Sequence, residues 1–322
     1  MSELLYLSRR DVEAVGLGMR EIIAALEAMF HEKGMGRVEM PPKPGIHPLP
    51  DAFIHAMPAY IPSMRSAGIK WVSGYPQNQA RGLPYITGLL ILNDPDTGFP
   101  TAVMDCAWIT AMRTGAATAV AAKHLARPES SSVGILACGV QGRANLEALA
   151  CVFGITQVRA FDTAPGVASR FAAQMGARLG VRVDVVGRAR EAVEGMDIVV
   201  TSGPILKRPE PAIEAGWLKP GGFGSLVDFD SYWQGPALAE ADRIATDDAA
   251  QLEYYRSVGY FRETPAPYAD LGEIVAGLKP GRASASERTL AINLGIALDD
   301  MAVAPLILKR AQARGIGTRL EL

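Results

Sequence analysis

The segment Ser132–Thr163 reads SVGILACGVQGRANLEALACVFGITQVRAFDT and determines the predicted fold. Its apolar run Val133 to Cys138 has the length of a buried parallel strand. A glycine turn, Gly139-Val140-Gln141-Gly142, then leads into an amphipathic stretch. A second apolar run follows and ends on Asp162, twenty residues after Gly142. This order of strand, glycine turn, helix, strand and acid is typical of a dinucleotide-binding unit.

Each residue of the turn has a physical role in that prediction. Gly139 lets the backbone approach a pyrophosphate, and Gly142 lets the helix pack closely on the strand. The first backbone N–H groups of the helix, from Val140 and Gln141 onward, point at the phosphates. Asp162 accepts from ribose hydroxyls and repels a 2′-phosphate, so the predicted cofactor is NAD rather than NADP. The alternative is an ordinary strand-to-helix turn that contains glycines.

One position departs from the Gly-x-Gly-x-x-Gly pattern, because the first glycine is replaced by Ala137. An alanine fits there only with a negative φ, since its Cβ disfavours the left-handed region. We therefore expect a slightly altered turn.

Composition limits the classes of partner. The chain has 322 residues, 49% hydrophobic content and a formal net charge of −2, which supports neither a nucleic-acid partner nor an anionic membrane. The length indicates two domains. The N-terminal residues lack the apolar core of a signal peptide, and no apolar run reaches membrane-spanning length, so we expect a cytoplasmic protein.

Cysteine and histidine usage indicates neither disulfides nor a metal. The three cysteines, Cys106, Cys138 and Cys151, form no paired framework, which fits a reducing compartment. The four histidines have no ligand spacing, so no metal is predicted. A Gly-x-Ser-x-Gly hydrolase motif is also absent from the sequence.

The predicted fold class is α/β, a Rossmann doubly wound parallel sheet domain plus a discontinuous α+β substrate-binding and dimerisation domain. Before residue 127 the strand patterns predict a mostly antiparallel sheet and an Ala-rich helix. After the polar break at 127–132, strands and helices alternate, which indicates a parallel sheet. The last apolar helix, from about Gly295, is expected to return to the first domain. The predicted domains are therefore 1–126 with 296–322, and 127–295.

Two cations lie in apolar surroundings. Lys70 lies in the strand pattern AGIKWVS, and alternation allows either a solvated strand face or a buried functional cation. Arg113 lies on a helix with almost no other polar surface, where burial without a partner is costly. The alternative for Arg113 is a structural ion pair.

Two acids follow the apolar stretch FGSLV, at the carboxyl end of a predicted parallel strand. Open α/β sheets bind ligands at that edge, so one or both of Asp228 and Asp230 are expected there. On an extended segment the two side chains point to the same side, and the pKa of one carboxyl rises. The alternative is that the strand has ended and Asp228 is a surface or capping residue.

Together these groups suit a small amino or imino acid. Lysine and arginine bind a carboxylate, while aspartate holds an ammonium or acts as a base. Hydride transfer at the α-carbon follows from that arrangement.

The chain resembles the ornithine cyclodeaminase/mu-crystallin family over nearly its whole length. The matching motifs are MPAY (57–60), GIKWVSGYPQN (68–78), DPDTGFPTAVMD (94–105), TAMRTGAATAVAAKHLA (110–126), GVQGRANLEAL (139–149) and LGEIVAGLKPGR (271–282). The resemblance implies a substrate and dimerisation domain, a Rossmann domain and a homodimer.

The resemblance also implies roles for individual residues. Catalytic roles fall on Lys70, Arg113 and Asp230. Substrate contacts fall on Lys43, where the family has an arginine, and on Met57. Asp228, at a position that is normally glycine in the family, is expected to support Asp230 at the substrate. Cofactor contacts fall on Thr114, Thr201 and Ser202, besides the glycine turn and Asp162. The Val227-Asp228-Phe229-Asp230-Ser231-Tyr232-Trp233 segment departs from the family's Gly-Gly-Asp-x-Pro-Gly-Lys, so ornithine is not assigned as the substrate.

The predicted function is an NAD(H)-dependent amino or imino acid oxidoreductase or cyclodeaminase. Its substrate is a small molecule, and neither nucleic acid nor membrane is a predicted partner. The alternative is a non-catalytic binding protein, as mu-crystallin binds NADPH and a small ligand. Retained Lys70, Arg113 and Asp230 favour the enzyme.

Overall fold

The computed structural model describes residues 3–322 as an α/β chain with two compact units. The first unit comprises Met1–Arg113 and Ile296–Leu322, and the second comprises Thr114–Gly295. This division falls inside a helix, whereas the sequence prediction puts the boundary after that helix. The assignment of substrate binding and dimerisation to one unit stays a prediction.

The helices and strands up to residue 125 begin the chain order. They are β1 (Glu3–Leu7), α1 (Arg9–Ala14), α2 (Met19–Gly34), β2 (Gly45–Ile46), β3 (Phe53–Ile61), β4 (Ser66–Gly74), β5 (Ile86–Asn93), β6 (Pro100–Asp105) and α3 (Ala107–Leu125). Two short 3-10 helices, Pro62–Met64 and Pro76–Arg81, flank β4.

The remaining elements continue to the C-terminus. They are β7 (Ser132–Leu136), α4 (Val140–Val152), β8 (Gln157–Phe161), α5 (Val167–Leu179), β9 (Arg182–Val185), α6 (Ala189–Val193), β10 (Ile198–Thr201), β11 (Phe223–Leu226), α7 (Gly235–Ala239), β12 (Arg243–Thr246), α8 (Ala249–Ser257), β13 (Ala269–Asp270), α9 (Leu271–Val275), β14 (Thr289–Ile292), α10 (Ala297–Arg314) and β15 (Thr318–Glu321). Within residues 3–322, no helix combines the length and the apolarity that crossing a bilayer requires.

The first unit contains a seven-stranded sheet in the order β15-β1-β6-β5-β4-β3-β2. Its strand pairs are antiparallel except β1 with β6. Helix α10 packs against α2, β3 and β4. The C-terminal helix therefore belongs to the same compact unit as the N-terminal strands.

Side chains of β4 alternate between the two faces of that sheet. Lys70 and Val72 are buried on one face, while Trp71 is 49% exposed on the other. Of the two interpretations that the sequence left open for Lys70, burial is the one observed. The alternation places a cation on the face that packs against α10.

The second unit contains an eight-stranded sheet in the order β13-β12-β14-β11-β10-β7-β8-β9. Every strand pair in it is parallel. The chain leaves β7 toward β8 and β9, then returns to place β10 on the other side of β7. This reversal is the topological switch point of a doubly wound sheet, where such folds bind ligands.

The fold-class prediction is confirmed, with the alternating strands found close to their expected positions. Five strands were not predicted: β1, β2, β13, β14 and β15. The sequence shows no turn signal that orders β14, which inserts between β11 and β12 and lies out of chain order. Its place depends on long-range pairing rather than on local pattern.

The glycine turn packs closely where the sequence required it. A Cβ at Gly142 would lie 2.5 Å from the Ala137 backbone oxygen, whereas a Cβ at Gly139 would meet nothing within 4 Å. The expectation for Ala137 was wrong, because this residue has φ +71°. The turn thus keeps the left-handed conformation of the glycine pattern and places an alanine in it, at a cost of about 1–2 kcal/mol.

We predict that alanine destabilises the protein at one glycine of the turn and has little effect at the other. Gly142→Ala is expected to lower the free energy of unfolding by about 1–3 kcal/mol, because the new Cβ overlaps backbone that cannot move aside. Gly139→Ala, with φ −75° and open space, is expected to stay within about 0.5 kcal/mol of wild type. Urea unfolding of both variants tests this, and equal losses would contradict it.

Candidate functional site

The turn between β7 and α4 in the second unit is held by hydrogen bonds from three sides. Ala137 N donates to Phe161 O at 3.0 Å, and Ser202 Oγ donates to Ala137 O at 3.0 Å. Arg143 Nη1 donates to the carbonyl oxygens of Cys138 and Gly139, at 2.6 and 2.8 Å. These contacts fix the backbone that begins the helix.

Asp162 stands at the end of β8 beside this turn. Its Oδ2 accepts from Cys138 N at 2.8 Å, and its Oδ1 accepts from Ala164 N at 2.8 Å. Each carboxylate oxygen retains acceptor capacity beyond that one bond. The acid predicted to bind ribose is therefore also a structural anchor of the turn.

The end of β10 brings Thr201 and Ser202 to the same edge of the sheet. Thr201 is fully buried; its Oγ1 donates to Asp228 Oδ1 at 2.8 Å and accepts from Trp233 Nε1 at 3.3 Å. Ser202 binds the Ala137 carbonyl, as described above. Both residues therefore join the glycine turn to the segment that follows β11.

Asp228 is fully buried in this network. Besides the Thr201 hydroxyl, its carboxylate accepts from Gly203 N at 3.0 Å. Burial raises its pKa to about 7, although both hydrogen bonds act in the opposite direction. Asp228 thus holds the loop after β10, and it is neither a surface residue nor part of a strand.

The expectation that Asp228 and Asp230 share one side of an extended segment was wrong. Strand β11 ends at Leu226, and Phe229, between the two acids, has φ +63°. The acids consequently turn to different partners: Asp230 Oδ2 accepts from Thr264 Oγ1 at 2.9 Å. Burial is the main cause that raises the pKa of Asp230, so the mutual repulsion inferred from sequence is not the dominant effect.

Aromatic contacts of the Phe229 side chain hold this turn in place. Its ring lies 4.9 Å from those of Tyr255 and Phe261 and 5.5 Å from that of Tyr260, measured between centroids. The buried aromatic contacts offset the cost of the left-handed backbone. The segment Asp228-Phe229-Asp230 is therefore a turn that the buried Phe229 ring holds in place, with one acid before that residue and one after it.

The first unit contains a separate cluster of charges around Lys70 and Arg113. Lys70 Nζ lies 2.6 Å from Asp300 Oδ2, and Arg113 Nη1 lies 3.0 Å from Asp299 Oδ2. Arg113 Nε is 3.4 Å from Asp300 Oδ1. All four side chains are buried, so two cations meet two acids out of water.

This environment changes the protonation equilibria. Burial, with the Arg113 charge adding to it, lowers the pKa of Lys70, while Asp300 acts in the opposite direction. Burial raises the pKa of Asp299 to about 6 despite the attraction of Arg113. The structural ion pair considered for Arg113 is therefore present, but it lies within a larger cluster.

Asp299 and Asp300 were not among the residues predicted from the sequence. A signal existed, because two adjacent acids stand in the otherwise apolar stretch ALDDMAVAP. Asp299 Oδ2 also accepts from Ile296 N at 3.3 Å and so caps α10. Sequence reasoning would assign both acids to the first turn of a helix, where acids are favourable.

The other predicted substrate residues also lie in the first unit. Met57 is buried and pairs with Lys70 across β3 and β4. Lys43 is buried near His55, a residue that the sequence analysis did not select. Burial, helped by the Lys43 charge, lowers the pKa of His55 to about 3, which keeps the imidazole neutral. Thr114 is buried directly after Arg113 on α3.

The turn fits a dinucleotide. The space beside Gly139 is open, Val140 is 67% exposed at the start of α4, and the Gln141 side-chain oxygen is buried without a hydrogen-bond partner within residues 3–322. Open backbone N–H groups at a helix start are suited to a pyrophosphate. No group of three or more His, Cys, Asp or Glu in the same residues could hold a metal ion.

The chain is similar in sequence and in structure to several known proteins. The chain is 37% identical to the nodulation efficiency protein NfeD of Rhizobium meliloti, over 97% of each chain. Its structure matches an archaeal alanine dehydrogenase dimer with bound NAD, with a TM-score of 0.89, 34% identity and 100% of each chain covered.

A third match is the delta(1)-pyrroline-2-carboxylate reductase of Thermococcus litoralis, solved with NADH and L-proline. Its TM-score is 0.88, with 33% identity over 98% of this chain and 99% of that one. The family model of the ornithine cyclodeaminase/mu-crystallin family matches residues 3–315. The chain belongs to the ornithine cyclodeaminase/mu-crystallin family.

Proposed function

We propose that this protein is an NAD(H)-dependent oxidoreductase or cyclodeaminase that acts at the α-carbon of a small amino or imino acid. The observation that carries the proposal is the position of Asp230. This half-buried acid with a raised pKa follows β11, at the same sheet edge as the glycine turn and Asp162. A cofactor-binding protein without activity needs no such acid there.

The proposed cofactor contacts follow from the chemistry of each residue. Bound NAD(H) supplies the hydride acceptor or donor. The turn from Gly139 to Gly142 holds its pyrophosphate, and Asp162 accepts from its ribose. Thr114, Thr201 and Ser202 are proposed as further cofactor contacts. Thr201 and Ser202 act mainly by fixing the turn and Asp228 through their hydrogen bonds.

Substrate binding is assigned to the cations of the first unit. Arg113 and Lys70 together carry eight N–H donors, enough to bind their acids and a carboxylate as well. Lys43 adds a third cation, and Met57 supplies an apolar wall next to Lys70. Asp230 is proposed to hold or release the proton of the substrate nitrogen. Asp228 supports it by holding the loop after β10.

A substrate screen tests the proposed class. NADH oxidation should be followed with keto acids plus ammonia or amines and with cyclic ketimines, and NAD reduction with ornithine and other amino acids. We expect turnover with at least one compound that carries an α-carboxylate. Tight NADH and ligand binding without any turnover would instead support the mu-crystallin-like binding protein.

The compartment is proposed to be the reducing cytoplasm. Cys106 and Cys138 are both buried. Burial raises their pKa to about 11 and about 12, so both thiols stay protonated and unreactive. Proteins of oxidising compartments commonly carry paired cysteines that form disulfides, and this sequence has no such pairing.

Asp230 and Asp228 are predicted to differ in role. Asp230→Asn should lower kcat by about a hundredfold, the usual scale for a lost general acid or base, with NADH affinity near wild type. Asp228→Asn should instead lower the free energy of unfolding by about 1–3 kcal/mol, because an amide nitrogen cannot accept from Gly203 N or Thr201. Stopped-flow kinetics, NADH titration and urea unfolding separate the two. An active Asp230→Asn with an inactive but stable Asp228→Asn would reverse the assignment.

Cofactor preference is predicted from Asp162. We expect NADH to bind at least about tenfold, or 1.4 kcal/mol, more tightly than NADPH, because the carboxylate repels a 2′-phosphate. Asp162→Ser should reduce that preference. Asp184→Ser on the neighbouring strand β9, whose acid pairs with Arg182, is the matched control and should leave it unchanged. Titration calorimetry measures both, and tighter NADPH binding by wild type would contradict the assignment.

A homodimer through the first-unit sheet is predicted from its exposed face. Trp71 and Leu89 are cross-strand partners, 49% and 44% exposed, and such a contiguous apolar pair favours a protein contact. Light scattering should give twice the chain mass of 34.3 kDa. Trp71→Glu should yield monomers, while Leu278→Glu, at a 60% exposed position in the second unit, should not. A wild-type monomer at micromolar concentration would refute the dimer.

A further inference from the structure

Asp300 is the one acid of the first-unit cluster that contacts both cations. Its Oδ2 lies 2.6 Å from Lys70 Nζ, and its Oδ1 lies 3.4 Å from Arg113 Nε. Lys70 is fully buried, and its other close polar contact is the Thr110 hydroxyl at 3.4 Å. A hydroxyl supplies no negative charge, so the charge that faces the ammonium at contact distance is that of Asp300.

We propose that Asp300 is a positioning residue that keeps the buried Lys70 ammonium charged and in place for the substrate carboxylate. This inference rests on the proposed function, because it assigns Lys70 to carboxylate binding. Asp300 acts through Lys70 and is not itself assigned a contact with the substrate.

The charged and titratable groups around Lys70 come from four parts of the first unit. Helix α3 contributes Arg113, whose charge opposes a second cation, and Cys106, directly before that helix, contributes a protonated thiol. Strand β3 contributes the neutral His55, and the segment before β2 contributes Lys43, which lies near His55. Helix α10 contributes Asp299 and Asp300. Asp300 has the strongest opposing effect on the Lys70 pKa, because its carboxylate lies 2.6 Å from the Lys70 ammonium.

The adjacent Asp299 has a different set of contacts. Its Oδ2 is shared between Arg113 Nη1, at 3.0 Å, and the backbone N of Ile296, at 3.3 Å. Asp299 therefore caps α10 and pairs with Arg113, whereas the Lys70 ammonium pairs with Asp300. Two acids of the same type, one residue apart, thus provide a matched comparison.

The test compares Asp300→Asn with Asp299→Asn in the full-length protein. For a carboxylate substrate, the alkaline limb of kcat/KM should move to lower pH by about one unit or more in Asp300→Asn, because Lys70 loses its counter-charge. Asp299→Asn should be less stable but should keep the wild-type limb. A uniform loss of activity in Asp300→Asn without movement of the limb, or equal movement in both variants, would overturn the proposal.

A second readout does not need activity. Lysine labelled with ¹³C at Cε reports the protonation of Lys70 in NMR titrations, with Lys70→Arg identifying the resonance. The Lys70 titration should move to lower pH in Asp300→Asn and stay in place in Asp299→Asn. If wild type has no turnover but this movement occurs, the proposed function fails while the role of Asp300 stands. If wild type turns over a substrate but the Lys70 titration does not move in Asp300→Asn, the proposed function stands and the role of Asp300 fails.

Asp300→Glu serves if the asparagine variant does not fold. It keeps the charge and displaces the carboxylate by one methylene, so the alkaline limb should stay within the wild-type range while KM for the carboxylate substrate rises several-fold. A wild-type KM in Asp300→Glu would show that the position of Lys70 does not depend on Asp300, and would overturn the proposal.

Discussion

The parallel direction of every strand pair in the second sheet is the constraint on which its functional edge depends. Parallel strands place all their carboxyl ends at one edge, so segments far apart in sequence meet there. The glycine turn follows β7, Ser202 follows β10, and Asp228 and Asp230 follow β11. Because β8 and β10 lie on opposite sides of β7, the loops that follow these two strands leave the sheet on either side of the glycine turn. One topological rule therefore brings together the predicted cofactor residues and the two acids.

Desolvation governs the chemistry of both units. Burial is the first cause of the raised pKa of Asp228 and Asp299 and of the lowered pKa of Lys70. Buried charges are costly even when they are paired, and apolar residues of the same volume are often as stable. The Lys70–Asp300 and Arg113–Asp299 pairs are therefore better explained by a need for fixed charges than by stability.

Two of the five non-glycine residues that have a positive φ within residues 3–322 lie near the predicted cofactor and acid positions. Ala137 follows β7, and Phe229 follows β11. Such residues persist where their surroundings determine the conformation. Hydrogen bonds from Ala137 N and to Ala137 O hold the first, and the ring contacts of Phe229 hold the second. The strain orients the start of α4 and separates the two acids.

The sequence by itself determined the α/β class, the glycine turn with Asp162, and the selection of Lys70, Arg113 and the two acids, because periodicity and glycine spacing are local properties. Tertiary structure alone decided the rest. The placement of β14, the conformation of Ala137, and the separation of Asp228 from Asp230 depend on partners distant in sequence. Asp299 and Asp300 meet Lys70 and Arg113 because α10 packs on β4, and 186 residues of chain separate Arg113 from Asp299. Local patterns carry no information on which charges meet when they are buried, since that pairing is made by packing.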